Sequence, residues 1–151
     1  MELRCPGFAE GEEIPDRYTA FGENISPPLA WDGAPAKTRS FALVVEDPDA
    51  HKTDFCHWVI FNIPCERSEI AEGAEPVRML GEGEQQGLND FGEIGYGGPK
   101  PPEGTHRYLF RLFALEQVLK VDGDLDRDDL LTAIRDHVLE EATLRGTCSA
   151  R

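Results

Sequence analysis

The sequence predicts a mainly β fold: a sandwich of antiparallel sheets with one or two short helices. Three observations carry this expectation. Three apolar runs of ordinary strand length are rich in β-branched and aromatic residues. Segments dense in glycine and proline separate them, and only one stretch, near the C-terminus, shows helical spacing. Strands first and a helix late suit a β-sandwich with a small helical addition.

The first run is "SFALVVED" at 40–47. The second is "CHWVIFNIP" at 56–64, closed by Pro64. Strict alternation would put His57, Val59, Phe61 and Ile63 on one face, with Trp58, Ile60 and Asn62 on the other. Both faces are mostly apolar, as expected of a strand inside a sandwich. The third run is "HRYLFRLFAL" at 106–115. The helix is expected over about 127–138. Asp126 can cap it, Asp128 and Asp129 lie in the first turn where the helix dipole favours negative charge, and Leu130, Leu131, Ile134 and Val138 recur at helical spacing. Beyond it "EEATLRGTC" alternates apolar with polar, which reads as a last strand.

The 151 residues fit one domain, 1–151, with a substantial core. The longest apolar runs fall short of a bilayer span, and "MELRCPGFAEGEEIP" carries no signal-peptide pattern, so a soluble, cytoplasmic protein is expected. With 29 acidic and 15 basic residues the formal charge is −14, which argues against a nucleic-acid partner and against stable association with anionic membranes. Cys5, Cys56, Cys65 and Cys148 form no CxxC pair and read as free thiols.

Four segments could carry chemistry. In "EDPDAH" (46–51), Asp47 and Asp49 flank a rigid Pro48, which is also good turn chemistry. His57 and His106 each stand near the start of a strand, with Tyr108 on the same face as His106. The loop "GYGGPKPPEGT" (95–105) before His106 combines glycines, which permit close backbone approach, with prolines, which stiffen the chain. Such a loop suits a pocket wall.

Several enzyme classes fit poorly. Cys56 and His57 are adjacent on a strand and should diverge, so they make a poor nucleophile pair. Ser26, Ser40, Ser68 and Ser149 lie in no nucleophile-elbow pattern. A metal hydrolase using His57, His106 and Asp47 has sensible ligands but no HxH or HxxxH spacing. The remaining chemistry is a small anion pocket, in which two imidazoles near a carboxylate offer N–H donors and the loop backbone adds others. If the histidines bind in their charged form, affinity falls as pH rises through about 6 to 7; neutral N–H donors give a flat profile.

Taken together, five pieces resemble the phosphatidylethanolamine-binding protein family in its bacterial and archaeal branch. The family also includes the Raf kinase inhibitor protein. The pieces are "FGENISPPLAW" (21–31), "DPDA" (47–50), "HWVIFNIP" (57–64), "GLNDFGEIGYGGPKPPEGTHRYLFRLFAL" (87–115) and "HVLEEATLRGT" (137–147). They stand in order and cover nearly the whole chain. The resemblance implies a Greek-key-like β-sandwich around a small anion-binding cavity, acting as a binding or regulatory module rather than an enzyme. It implies no cofactor, metal or catalytic residue. Its ligand-binding positions correspond here to Asp47, His57, His106 and Tyr108, with Pro99, Lys100 and Pro101 as one wall. Asp49 and Arg107 correspond to positions expected to pair as structural support. The implied partner is a small anionic or phosphate-bearing ligand, and the resemblance leaves room for a homodimer. A surface-acting inhibitor or scaffold, with the pocket merely supporting it, is the alternative of a different class.

Three positions depart from the family pattern. His51 stands where a proline usually follows "DPDA", Lys100 replaces a cysteine in "GGPCPP", and Cys148 replaces the tyrosine of "GTY". The Lys100 ammonium could charge the pocket rim or face solvent.

Overall fold

The computed structural model describes residues Met1–Arg151. Two antiparallel sheets form its framework. The smaller contains β1 (Glu2–Arg4), β2 (Leu29–Asp32) and β5 (Glu69–Ile70), with β2 in the middle. The larger contains β3 (Ser40–Asp47), β4 (Phe55–Pro64), β6 (Gln85–Gln86), β7 (Thr105–Leu115) and β8 (Val138–Ser149), in the spatial order β6-β4-β3-β7-β8. One α-helix, α1 (Arg127–Ile134), precedes β8, and a single 3-10 turn spans Asp16–Tyr18. No helix is long and apolar enough to cross a membrane.

The large sheet is buried on both faces, so β3 is buried at every residue. On one face Phe41, Leu43 and Val45 of β3 pack with Phe110 and Leu112 of β7. The small sheet closes this layer with Leu3, Leu29, Trp31 and Ile70. On the other face Ala42, Val44, Val59 and Phe113 pack beneath Leu130 and Ile134 of α1. A strand covered on both sides must be a continuous apolar run, which is why "SFALVV" does not alternate.

In β4 the alternation predicted from the sequence is broken twice. Leu43 faces Ile60 and Phe41 faces Ile63, so two β4 residues, Phe61 and Asn62, oppose Ala42 alone. Asn62 takes a left-handed backbone conformation (φ 56°) at this bulge. Its side-chain amide donates to Gln85 Oε1 (2.9 Å) and to the Leu119 carbonyl (2.8 Å), and its oxygen accepts from the Leu119 N–H (2.8 Å). As a result Ile63 joins Trp58 and Ile60 in the layer facing the small sheet, while Val59 and Phe61 face the helix. The second irregularity lies at the other end. Trp58 pairs with Val45 and Cys56 with Glu46, leaving His57 as the extra residue. His57 and Trp58 therefore both lie on the sandwich side: Trp58 in its core, His57 against the Tyr108 ring, centroids 5.3 Å apart.

The helix is shorter than the expected 127–138. Its start is as read: Asp126 Oδ1 accepts from the Asp129 N–H (2.8 Å), and the Asp129 carboxylate accepts in return from the Asp126 N–H (3.2 Å), a reciprocal capping box. Its end is Ile134, because Val138 opens β8 and pairs with Leu115. Eleven paired positions in the ladder with β7 outweigh one further helical turn. The helix start is tied to the sheet by a buried carboxylate: Glu46 accepts from Arg127 and Arg111, each at 3.0 Å.

Candidate functional site

At one end of the large sheet, three strands deliver polar side chains to the sandwich face. Asp47 is the last residue of β3, His57 sits at the β4 bulge, and His106 and Tyr108 lie two apart at the start of β7. Bulges re-aim a side chain without ending a strand. Here that turns a histidine of an otherwise apolar strand toward the other two.

The Asp-Pro-Asp segment is both a turn and part of the site. Asp47 Oδ1 accepts from the Asp49 N–H (2.8 Å), while Oδ2 accepts from His106 Nδ1 (2.6 Å). Asp49 braces the same junction from outside. It receives the Arg107 guanidinium through both oxygens (2.8 and 2.9 Å) and the Arg107 N–H as well (2.8 Å). The guanidinium first, then the backbone N–H, holds the Asp49 carboxyl down to about 2. Asp49 and Arg107 tie the turn to β7 and do not line the cavity.

The segment before β7 lies along the open edge of β4. The Gly97 N–H donates to the His57 carbonyl (3.0 Å), and the Gly97 carbonyl accepts from His57 Nδ1 (2.6 Å). Glycine is required for this approach. A Cβ on Gly97 would lie 2.5 Å from the Phe91 ring, and one on Gly98 would lie 2.4 Å from Asn24 Oδ1 and 2.8 Å from the Tyr18 carbonyl oxygen. The prolines that follow stiffen the chain toward His106 without adding backbone N–H groups that would need acceptors.

These elements enclose a cavity of about 310 Å³. Asp47, His57, His106 and Tyr108 form its polar floor. Phe55 and Phe91 form an aromatic wall, and Pro101 and Pro102 also line the cavity. The Phe55 ring lies edge-on to His57 (5.0 Å between centroids) and to Phe91 (4.8 Å). His51 and Lys100 stand exposed at the rim, the Lys100 ammonium 5.8 Å from the centre of the Phe21 ring. Pro99, expected in the wall, is not part of the lining. It is buried behind it, where its carbonyl accepts from the Ala20 N–H (2.9 Å), and Gly98 and Pro102 flank the cavity instead.

The hydrogen bonds fix the protonation pattern of the floor. A carbonyl oxygen can only accept, so His57 donates through Nδ1, and burial depresses its pKa, keeping the ring neutral. His106 Nδ1 is likewise committed to a carboxylate. Neither Nε2 has a protein partner, yet neither is sealed from solvent; Trp31 Nε1 is the one buried side-chain polar atom left without a partner. Both Nε2 atoms therefore open on the cavity. In a neutral ring with its proton on Nδ1, Nε2 is a lone pair. Burial, and then the Asp47 charge, push the Tyr108 hydroxyl far above its ordinary range, so it stays protonated.

Phe55 and Phe91 were not foreseen from the sequence. Phe91 is 50% exposed in a polar loop, and Phe55 precedes the apolar run. Their only signal was two aromatic residues outside any periodic pattern. The cavity brings Asp47, His57, Lys100, Pro101, His106 and Tyr108 together; Cys148 lies beside it, paired with His106 across the β7–β8 ladder.

Comparisons with known proteins agree with this architecture. An archaeal UPF0098 protein from Methanothermobacter thermautotrophicus is 48% identical over 146 residues, covering 97% of each chain. One from Chlamydia pneumoniae is 43% identical over 152 residues, again with 97% of each covered. Among solved structures, a putative phosphatidylethanolamine-binding protein homologue, CT736 from Chlamydia trachomatis, superposes with a TM-score of 0.90 at 36% identity, covering 99% of this chain and 97% of its own. E. coli YbcL, described as a new member of the mammalian PEBP family, gives 0.91 at 29% identity, covering 99% and 98%. The model of the phosphatidylethanolamine-binding protein family matches residues 5–149, and the chain belongs to that family.

Proposed function

We propose that the protein is a binding module whose cavity takes a small anionic, phosphate-bearing group, and that occupancy of this cavity serves recognition or regulation rather than turnover. One observation carries the reading: two imidazoles, each oriented through Nδ1, aim their free Nε2 atoms into one preformed cavity. His106 is anchored through Nδ1 on the Asp47 carboxylate, and a charge-assisted hydrogen bond to an anion contributes roughly 1.5–3 kcal/mol. The Tyr108 ring lines the same cavity beside them. An oriented Asp–His pair also resembles the base half of a hydrolase. The lining residues include no serine, threonine or cysteine to serve as nucleophile, which favours binding.

Calorimetric titration with phosphate and with phosphoethanolamine tests the reading. Binding by the wild type that falls at least about tenfold in His106→Ala is expected, since one charge-assisted bond is lost. Equal affinity in both proteins would move the anion elsewhere. No binding to either would leave the surface-scaffold alternative in front.

A further inference from the structure

The large sheet does not end at β6. Outside it, residues 77–80 run antiparallel to β6, with Met79 opposite Gln85. The Gln86 N–H donates to the Arg78 carbonyl (2.9 Å), and the Leu80 N–H to the Glu84 carbonyl (2.8 Å). Bonds at both flanking residues make Met79 and Gln85 a non-hydrogen-bonded pair, so the Met79 N–H and C=O point away from β6. Neither has a partner in the chain. The edge is held from behind. The buried Gln86 side-chain amide donates to the Glu75 and Val77 carbonyls (2.6 and 2.9 Å), and its oxygen accepts from Trp58 Nε1 (2.7 Å). Val77 and Met79, two apart on one face of the strand, are 40% and 58% exposed.

Natural edge strands are commonly blunted by a charged side chain. Arg78 stands in that place, but its guanidinium is committed to Asp124 through two bonds (2.6 and 3.0 Å). The charge left around the edge is negative. Residues 71–86 carry Glu72, Glu75, Glu82 and Glu84 against Arg78 alone. Arg17 binds Glu72, and Arg67 is shared by Glu82 and Glu84. Glu75, which leads into the edge strand, is exposed and has no ion-pair partner. A second copy would bring the same carboxylates and a formal charge of −14 to the contact, so like charges oppose self-pairing.

We propose that residues 77–80 form a docking edge for a short, extended, cationic segment of another protein, added as a further antiparallel strand. The Met79 N–H and C=O pair with one residue of that segment. Apolar side chains of the segment lie on Val77 and Met79, and its lysine or arginine side chains meet Glu75 and the carboxylates around it. None of these residues lines the cavity of the anion reading, so the two stand or fall separately.

The test titrates the protein with short capped peptides while its backbone amides are followed by proton–nitrogen NMR. One peptide alternates Lys with Val, one Glu with Val, and one Lys with Gly. Met79→Pro removes the outward N–H without breaking a hydrogen bond of the chain. A Lys–Val peptide methylated on its backbone nitrogens makes the same comparison on the unaltered protein. The Lys–Val peptide is expected to bind and to shift the amides of residues 77–80. Its affinity should fall about five- to tenfold in Met79→Pro and on backbone methylation. A fall of about three- to tenfold is expected in Glu75→Lys, and on raising salt from about 20 to about 200 mM. The Glu–Val peptide should not bind. Failure of the Lys–Val peptide to bind, equal binding of the Glu–Val peptide, or an affinity indifferent to backbone methylation overturns the proposal. Equal binding of the Lys–Gly peptide reduces the contact to charge attraction and also overturns it. Sedimentation of the protein alone completes the test: a dimer that dissociates in Met79→Pro would assign the edge to a second copy instead of a cationic partner.

Discussion

Single glycines and single nitrogens decide what the cavity can do. Gly97 and Gly98 are both too crowded for a side chain, but their neighbours differ. A Cβ at Gly97 meets the half-exposed Phe91 ring, which can swing outward, whereas one at Gly98 meets the Tyr18 backbone, which cannot. Gly98→Ala should therefore cost about 1–3 kcal/mol in chemical denaturation, and Gly97→Ala less, with its effect appearing instead as a displaced aromatic wall and weakened ligand binding. A larger stability loss at Gly97 than at Gly98 would contradict the packing described. At this scale the sequence was informative about Asp47, His57, His106 and Tyr108, because their motifs stand in family order. It was silent about Phe55 and Phe91, which matter only through contacts between segments far apart in the chain.

The strands were legible because each is an unbroken apolar run, and the bulges were not. Period-two alternation places His57 with Val59 and Phe61, yet the extra residues at 57 and 61–62 put His57 on the opposite face from both. Nothing in "CHWVIFNIP" marks those positions except Asn62, whose tolerance of a left-handed backbone is a clue only in hindsight. The helix end failed for a related reason. Val138 satisfies helical spacing as well as it satisfies a strand start, and only the β7 partner decides between them. The Asn62 bulge is open to experiment. Asn62→Ala removes three side-chain hydrogen bonds and retains an unfavourable backbone, so it should cost about 2–3 kcal/mol by urea denaturation. Asn62→Gly loses the same bonds but relaxes the backbone, and should be about 1 kcal/mol milder. An Ala variant as stable as the Gly variant would show that the left-handed conformation is not retained.

At the scale of the whole molecule, the proposed anion site lies inside a strongly acidic protein. A formal charge of −14 repels phosphate from the surface in general, so recognition must come from a local arrangement. The sandwich supplies it by ending three strands together and closing the gap with a glycine-proline segment fixed to β4 through His57 and Gly97. The central claim is that both floor histidines hold their Nδ1 protons inward and offer Nε2 to the cavity. Long-range proton–nitrogen NMR of the imidazoles, followed through a phosphate titration, tests it most directly. The account predicts a neutral, Nδ1-protonated His57 before and after binding, and ligand-induced shifts at the Nε2 atoms of both floor rings, with His137 unaffected. A free protein carrying Nε2–H on His57, or a saturating titration that leaves both floor rings unchanged, would contradict it.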